Sequence, residues 1–528
     1  MTKSIKKALL VFLSIIICIS MLSGCDKSSK TYENSMYNPD IAKKVGDTGG
    51  LKLPLDINDT VITTVVSSEY NLNESYFAES IRKATGVNFQ IDSSPSSTMT
   101  QKLRVLLAGG DIPDIMPMIG TIDDMNEFGM QGAFEPVTPY IDELPNFKKI
   151  FVDGEANWVM KSYQAIDKNI YMIPNYEVNR MVNHGMLYRK DIFDKHGIKM
   201  WNNLDEFYEV LKKLKELYPN STPFVSKNAE GIVGKLGTGW GLVNEDLFYN
   251  EETGVWKYSD TQPETRVILD LLKKLYTEGL LDVEFLTCTQ AAWTQKMTQR
   301  DKAFVTFDWI GRLDMFKEQT KDTIPEYDLR WANPIGPRKT VKTLDLVSAG
   351  HAIGKSKNSL LAMKLCDFLL SPAGAQVATI GIEGETFEIN SRGYASFPEL
   401  DGEAKVNTID EIGDKYGMFQ LYKRADRRAS YFDYTERERE AQEYAEEKAH
   451  MEPLDPKLTF TAEEMEIKAK YMSGLKKATK EFYVQYIMNP ASGDKEWNEW
   501  LEKAERNGVS KLEKVYNDAQ KRYDALKI

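Results

Sequence analysis

The feature that most narrows the fold is an alternation of strand and helix signals between Thr60 and Pro117. Val61-Ile62-Thr63-Thr64-Val65-Val66 is a β-branched run bounded by polar residues, and such side chains fit the half-buried surface of a sheet. Asn73 is placed to cap a helix running to Thr85, with Tyr76, Phe77, Ile81 and Ala84 on one side and Gly86 as the stop. Residues 87–91 read as the next strand, residues 99–108 as a helix ended by Gly109-Gly110, and Ile112-Pro113-Asp114-Ile115-Met116-Pro117 as the start of a third strand. Strand, helix, strand, helix, strand implies right-handed crossovers and therefore a parallel sheet covered on both faces. The predicted class is α/β, and 528 residues are enough for two or more lobes.

Ahead of that block, Lys3, Lys6 and Lys7 precede an apolar core over residues 8–21 and then Leu22-Ser23-Gly24-Cys25. That is the order of a secretion leader, and it is too short for a bilayer span of about 20 residues. Small residues before a cysteine resemble the bacterial lipobox, which implies a leader over residues 1–24 and a lipid anchor on Cys25. Two acyl chains hold a protein at a membrane where one is marginal. The alternative is an ordinary cleaved leader with an incidental cysteine. Residues 25–57 are Lys-, Ser-, Asn-, Asp- and Gly-rich and read as a flexible tether.

The formal charge is −12, and losing Lys3, Lys6 and Lys7 with the leader makes the chain more acidic still. With no Lys/Arg run to offset it, binding to nucleic acid or to an anionic membrane surface through a basic face is not expected. Beyond Cys18 and Cys25 the cysteines are Cys288 and Cys366, which read as two buried thiols in preference to a disulfide.

Several motifs carry a family resemblance. The run Leu106-Leu107-Ala108-Gly109-Gly110-Asp111-Ile112-Pro113-Asp114-Ile115, followed by Gly132-Ala133-Phe134-Glu135-Pro136, resembles the first lobe of extracellular solute-binding proteins of the maltose-binding class. Tyr188-Arg189-Lys190-Asp191 resembles the step that opens the second lobe, and Trp331-Ala332-Asn333-Pro334 with Ser348-Ala349-Gly350-His351 resembles the return to the first. Gly381-Ile382-Glu383-Gly384-Glu385-Thr386-Phe387-Glu388 is similar to a motif of the long lipoprotein subgroup that binds carbohydrates. The resemblance implies a two-lobe periplasmic-binding-protein-like fold (type II) with hinge-linked lobes and a helical C-terminal elaboration. It places lobe 1 at residues 58–174 and 330–370 and lobe 2 at residues 175–329 and 371–528.

The same resemblance points to cleft residues. Tyr176, Glu177, Asn179 and Arg180 lie on the segment that crosses between lobes, Trp240 stands between glycines, Asp308-Trp309 ends a strand, and Glu383 lies in the last motif. Flat rings with acids, amides and arginines are the mixture that sugars need, for their CH faces and their rim of hydroxyls. Each has a plainer reading: Trp240 as core, Glu177 and Arg180 as a mutual pair, Glu383 as a brace for its own loop. Trp309 is the strongest candidate. The implied partners are an oligosaccharide and the permease subunits of an ABC importer, with the chain acting as a monomer and closing about its hinge.

The search for catalytic chemistry is mostly negative. His184, His196, His351 and His450 are scattered, with no HExxH and no Cys-x-x-Cys, so no zinc ligand set is expected. There is no G-x-S-x-G elbow, and Gly354-Lys355-Ser356 lacks the first glycine of a P-loop, Ala349 standing there. Residues 218–223 lack the alternating carboxylates of an EF-type calcium loop, so neither metal nor cofactor is expected. A binder of another solute such as peptides, and a surface enzyme that processes polysaccharide, stay open as alternatives.

The C-terminal half offers packing signals. Asn203 with Glu206 opens a helix carrying Phe207, Leu211 and Leu214. Pro263 opens one with Val267, Leu271, Leu272 and Leu275 inside, and Asp494 is placed to cap one carrying Trp497 and Trp500. Residues 399–452 read as a polar elaboration of lobe 2.

Overall fold

The computed structural model describes residues 37–56, 58, 60–227, 231–242, 246–400 and 409–526; the leader and Cys25 lie outside the described residues. Eight strands frame the molecule: β1 (Val61–Ser67), β2 (Asn88–Ser94), β3 (Ile115–Pro117), β4 (Met172–Tyr176), β5 (His184–Arg189), β6 (Val305–Trp309), β7 (Leu329–Trp331) and β8 (Val347–Ile353).

The first lobe is built on a five-stranded sheet in the order β2-β1-β3-β8-β4. The strands read from the opening block are parallel, β1 to β2 and β1 to β3, but β8 is antiparallel to both β3 and β4. The expected parallel sheet is therefore mixed, because β4 carries the chain out of the lobe and β8 brings it back. Asn73 is not the helix cap. Ser75 caps Tyr76–Thr85, while the Asn73 amide bonds both the N–H and the carbonyl of Ile91 and so pins that turn to β2.

Part of the expected tether is folded. Asn38 caps a helix, Pro39–Val45, whose Ile41 and Val45 are buried in the first core with Leu51. Ile41 and Val45, one helical turn apart, supply the apolar face that the polar composition of the segment obscured.

The second lobe holds the three-stranded antiparallel sheet β6-β5-β7, with a hydrophobic core on each face. Trp331 belongs here, paired with Leu187 in β7, and not on the return to the first lobe. Residues 373–432, expected in lobe 2, instead contribute Val377, Phe387, Phe397, Ile412, Met418 and Phe432 to the first core. The boundaries at 330 and 371 thus shift to about 345 and 434. Sequence order did not reveal this, because burying an apolar face fixes which core a segment joins.

Helix Leu204–Leu217 is capped by Asn203 and buries Phe207, Leu211 and Leu214. In helix Pro263–Thr277, Val267 is exposed, and Ile268 and Leu269 take the inward positions beside Leu271, Leu272 and Leu275. At the C-terminus, Ala462–Met488, Asp494–Arg506 and Val509–Ala525 pack into the second core. Gly493, not Asp494, is the cap of the middle helix, its N–H donating to Glu496 at 2.9 Å. Cys288 and Cys366 are both buried and free.

Candidate functional site

Three stretches cross between the lobes: residues 177–183, 342–346 and 433–435. Backbone bonds lace the first two together, Glu177 N to Leu346 O at 2.7 Å and Leu344 N to Met181 O at 2.9 Å. The third leads into helix Glu436–Glu446, which packs on the second lobe through Ala441 and Ala445. Gln442 on that helix grips the Val182 backbone from both sides, accepting from its N–H at 3.2 Å and donating to its carbonyl at 2.8 Å.

Most of the expected cleft residues on the first crossing hold this hinge. Tyr176 is buried, its hydroxyl on Glu155 at 3.0 Å and its ring edge-on to Phe151. Glu177 sits at φ +51° and its carboxylate is taken by Arg424, with Nη2 at 2.6 Å. Asn179 donates to the Asp345 carbonyl at 2.8 Å. Arg180 bonds Glu438 at 2.9 Å and the Tyr431 carbonyl at 3.1 Å, with its guanidinium 4.5 Å from the Tyr431 ring. Glu177 and Arg180 therefore do not pair with each other; each joins the first crossing to the segment at 424–438. A charged side chain on a crossing segment serves a hinge as readily as a ligand, and composition does not separate the two.

Beneath the hinge lies Lys423, fully buried, whose carbonyl accepts from Tyr176 N at 2.7 Å. Its ammonium reaches His351 Nδ1 at 2.5 Å and the Ile173 carbonyl at 3.1 Å, with no carboxylate partner among the described residues. Burial lowers it to about 8, and burial together with Lys423 holds the His351 imidazole well below its ordinary value. Below about pH 8 the lysine is charged in both folded and unfolded chains, so the full cost of burying the charge is present. Between there and the ordinary lysine value only the unfolded chain holds the proton, so stability rises with pH over that range. Lys423→Met is expected to stabilise the chain by about 2 kcal/mol at pH 7 and to abolish that alkaline rise. Urea unfolding at pH 7 and pH 10 measures both, and equal profiles for the two proteins would refute it.

The wall beside the hinge comes from β5 and β6. Their register sets Trp309 against His184, the residue at which the first crossing enters the second lobe. Trp309 is partly exposed, whereas Asp308 is 3% exposed and its carboxylate is shared by Lys227 Nζ at 2.9 Å and Arg312 Nε at 3.1 Å. Both cations also face Trp293, at 4.5 and 5.5 Å from its ring, and the Arg312 guanidinium is 5.5 Å from the Trp309 ring. Burial lowers the His184 imidazole, and the strongest charges acting on it are Asp308, Lys235, Lys227 and Arg312. Asp308 is thus the brace of a cationic wall and does not itself face outward.

Trp240 ends a short turn, Thr238–Trp240, and is partly buried against the second core. The glycines beside it sit against other parts of the chain, Gly239 against Gly336 and Gly241 against Arg338. A Cβ on Gly336 would lie 2.0 Å from the Gly239 carbonyl oxygen, so the close approach they permit is of the chain to itself. Glu383 is exposed on a first-lobe turn, and two residues on, Glu385 is bonded by Tyr76 and Lys44. Lys227, Trp293 and Arg312 escaped the sequence reading. Arg312, one helical turn past Asp308 at a strand-to-helix step, carried the only local signal.

Two lobes joined by three crossings, with an aromatic and charged wall beside them, define a hinged solute-binding fold. The chain belongs to the family of bacterial extracellular solute-binding proteins, which its residues 71–376 match. It is similar to Lipoprotein LipO of Bacillus subtilis (strain 168), 24% identical over 270 residues, 50% of this chain and 52% of that protein. It is likewise similar to the polygalacturonan/rhamnogalacturonan-binding protein YtcQ of the same organism, 25% identical over 240 residues, 44% of this chain and 46% of that protein. The chain thus aligns with about half the length of the curated relatives it matches. Among solved structures, the alginate-binding protein AlgQ2 without calcium ion superposes with a TM-score of 0.66 at 22% identity, covering 89% of this chain and 100% of that one, a likeness of fold.

Proposed function

We propose that this chain captures a carbohydrate, an oligosaccharide, outside the cell by closing its lobes about the three crossings, and hands it to the permease pair of an ABC importer. In this reading Cys25 carries the lipid anchor, and the chain acts as a monomer that binds without catalysing. The observation that carries it is the partly exposed Trp309 ring, held at the hinge end of the second-lobe sheet beside a braced set of charged groups. An indole face suits the CH face of a pyranose, and fixed polar groups beside it suit the hydroxyls. The family match and the carbohydrate-binding names among the relatives support the same reading.

Thermal unfolding against a panel of plant and microbial oligosaccharides and short peptides tests it. Ligand at about a hundred times its dissociation constant stabilises by about 2.7 kcal/mol. A shift with saccharides and none with peptides is expected, and the reverse would overturn the carbohydrate assignment. Trp309→Ala is expected to weaken the best saccharide by about 2 kcal/mol, roughly thirtyfold, with Trp309→Phe retaining most of the affinity. Calorimetric titration checks this, and unchanged affinity in the alanine variant would remove Trp309 from the site.

A further inference from the structure

We propose that the Trp309 wall takes an acidic sugar, with a pyranose ring on the indole and its carboxylate on the outer edge of the Arg312 guanidinium. The proposal rests on the carbohydrate reading above and names the class of sugar. It starts from a charge imbalance built into the wall. One carboxylate, Asp308, is shared by two cations, Lys227 and Arg312, whose side chains are only 14% and 16% exposed. No further carboxylate joins the trio among the described residues, so it carries one net positive charge in a poorly solvated place, where an unbalanced charge is costly until an anion joins it.

Hydrogen bonding locates where that anion would sit. Arg312 spends Nε on Asp308, and its Nη1 meets only the Met315 sulfur at 3.0 Å, a weak acceptor. Nη2 has no hydrogen-bond partner among the described residues. The Nη1–Nη2 edge is thus the part of the fork left for a bidentate carboxylate, and Trp293, Trp309 and Phe316 around the guanidinium hold its plane. The hinge carries a second guanidinium of this kind. Arg427 is exposed, stacks on Phe432 at 3.8 Å and donates to the Asn179 carbonyl at 3.3 Å, with no carboxylate partner among the described residues. A sugar chain with a carboxylate on each residue offers acceptors to both; a neutral chain offers neither an ion.

The test compares matched ligands on the purified chain by calorimetric titration at low and moderate salt. The probes are trimers of galacturonate and of mannuronate, the methyl ester of each, a neutral galactose trimer, and acetate as a bare anion. At least one acidic trimer is expected to bind tenfold or more tighter than its ester and the neutral trimer, and to weaken as salt rises. Arg312→Gln is expected to bring the acid down toward its ester, and Arg312→Lys, which keeps the charge but not the fork, to recover part of the difference. An ester or the neutral trimer binding as tightly as the acids would overturn the proposal while leaving the carbohydrate reading intact. Acetate matching the trimers would reduce the wall to a simple anion site and overturn it too. If none of these saccharides bound, the acidic-sugar proposal would fall, and the carbohydrate reading would stand or fall on the wider oligosaccharide panel above.

Discussion

Arg180→Met is expected to lower the unfolding free energy by about 3 kcal/mol, because it leaves Glu438 as an uncompensated carboxylate in a place where that side chain is only 11% exposed. The loss has a particular position in the molecule. Glu438 is the third residue of helix Glu436–Glu446 and the acid of its capping box, and Arg180 lies on the first crossing, so their bond ties that crossing to the helix into which the third one leads. The variant should therefore also change how the lobes close, seen as a shift in ligand affinity larger than in a surface control of equal stability. Glu438→Gln added to Arg180→Met should recover part of the stability, since a neutral amide costs far less to leave buried than a carboxylate does. Chemical unfolding of the two single variants and the double variant gives the coupling. A loss under about 1 kcal/mol for Arg180→Met would mean the pair behaves as an exposed ion pair and does not pin the hinge.

Trp500→Ala is expected to cost about 3–5 kcal/mol, the range for truncating a large aromatic side chain in a packed core. Trp500 is 2% exposed and stacks on Phe482 at 4.8 Å with the rings nearly parallel. Its Nε1 donates to the Asp260 carbonyl at 2.8 Å, so truncation leaves both a cavity and an unmatched acceptor. The residue joins two C-terminal helices to the turn before helix Pro263–Thr277, which makes the C-terminal elaboration part of the second lobe's core. Thermal unfolding of the variant should show a midpoint lower by several degrees. A near-native midpoint would mean that the C-terminal helices are dispensable to that core.

How much of this was legible depended on the range of the interaction. Periodicity and β-branched runs placed β1, β2, β6 and the helix opened by Asn203 because they report burial of a face by a local stretch of chain. Caps were less secure: Asn73 and Ser75 both have capping side chains, and only the pairing of Asn73 with Ile91 on β2 decided which one served. The candidate site followed the same rule. Trp309 was readable as an aromatic at a strand end, and it does close β6, partly exposed beside the hinge. The polar candidates Glu177, Asn179, Arg180 and Asp308 were readable as charged or amide residues but not as free ones. Their partners Arg424, Asp345, Glu438 and Lys227 lie between 81 and 258 residues away in sequence.

By itself, then, the sequence determined the class of fold, the alternating block that starts it and the stretches able to pack as core, because backbone preference and hydrophobic period act over a few residues. Tertiary structure alone decided that β8 runs against β3 and β4 while β4 runs with the first three strands, that Val377, Phe387, Met418 and Phe432 pack into the first core, and that the crossing-segment charges are spent on the hinge. It also left Arg312 with an open edge beside Trp309. A charged side chain is either balanced or available according to what the folded chain brings within about 4 Å of it, and no local pattern carries that distance.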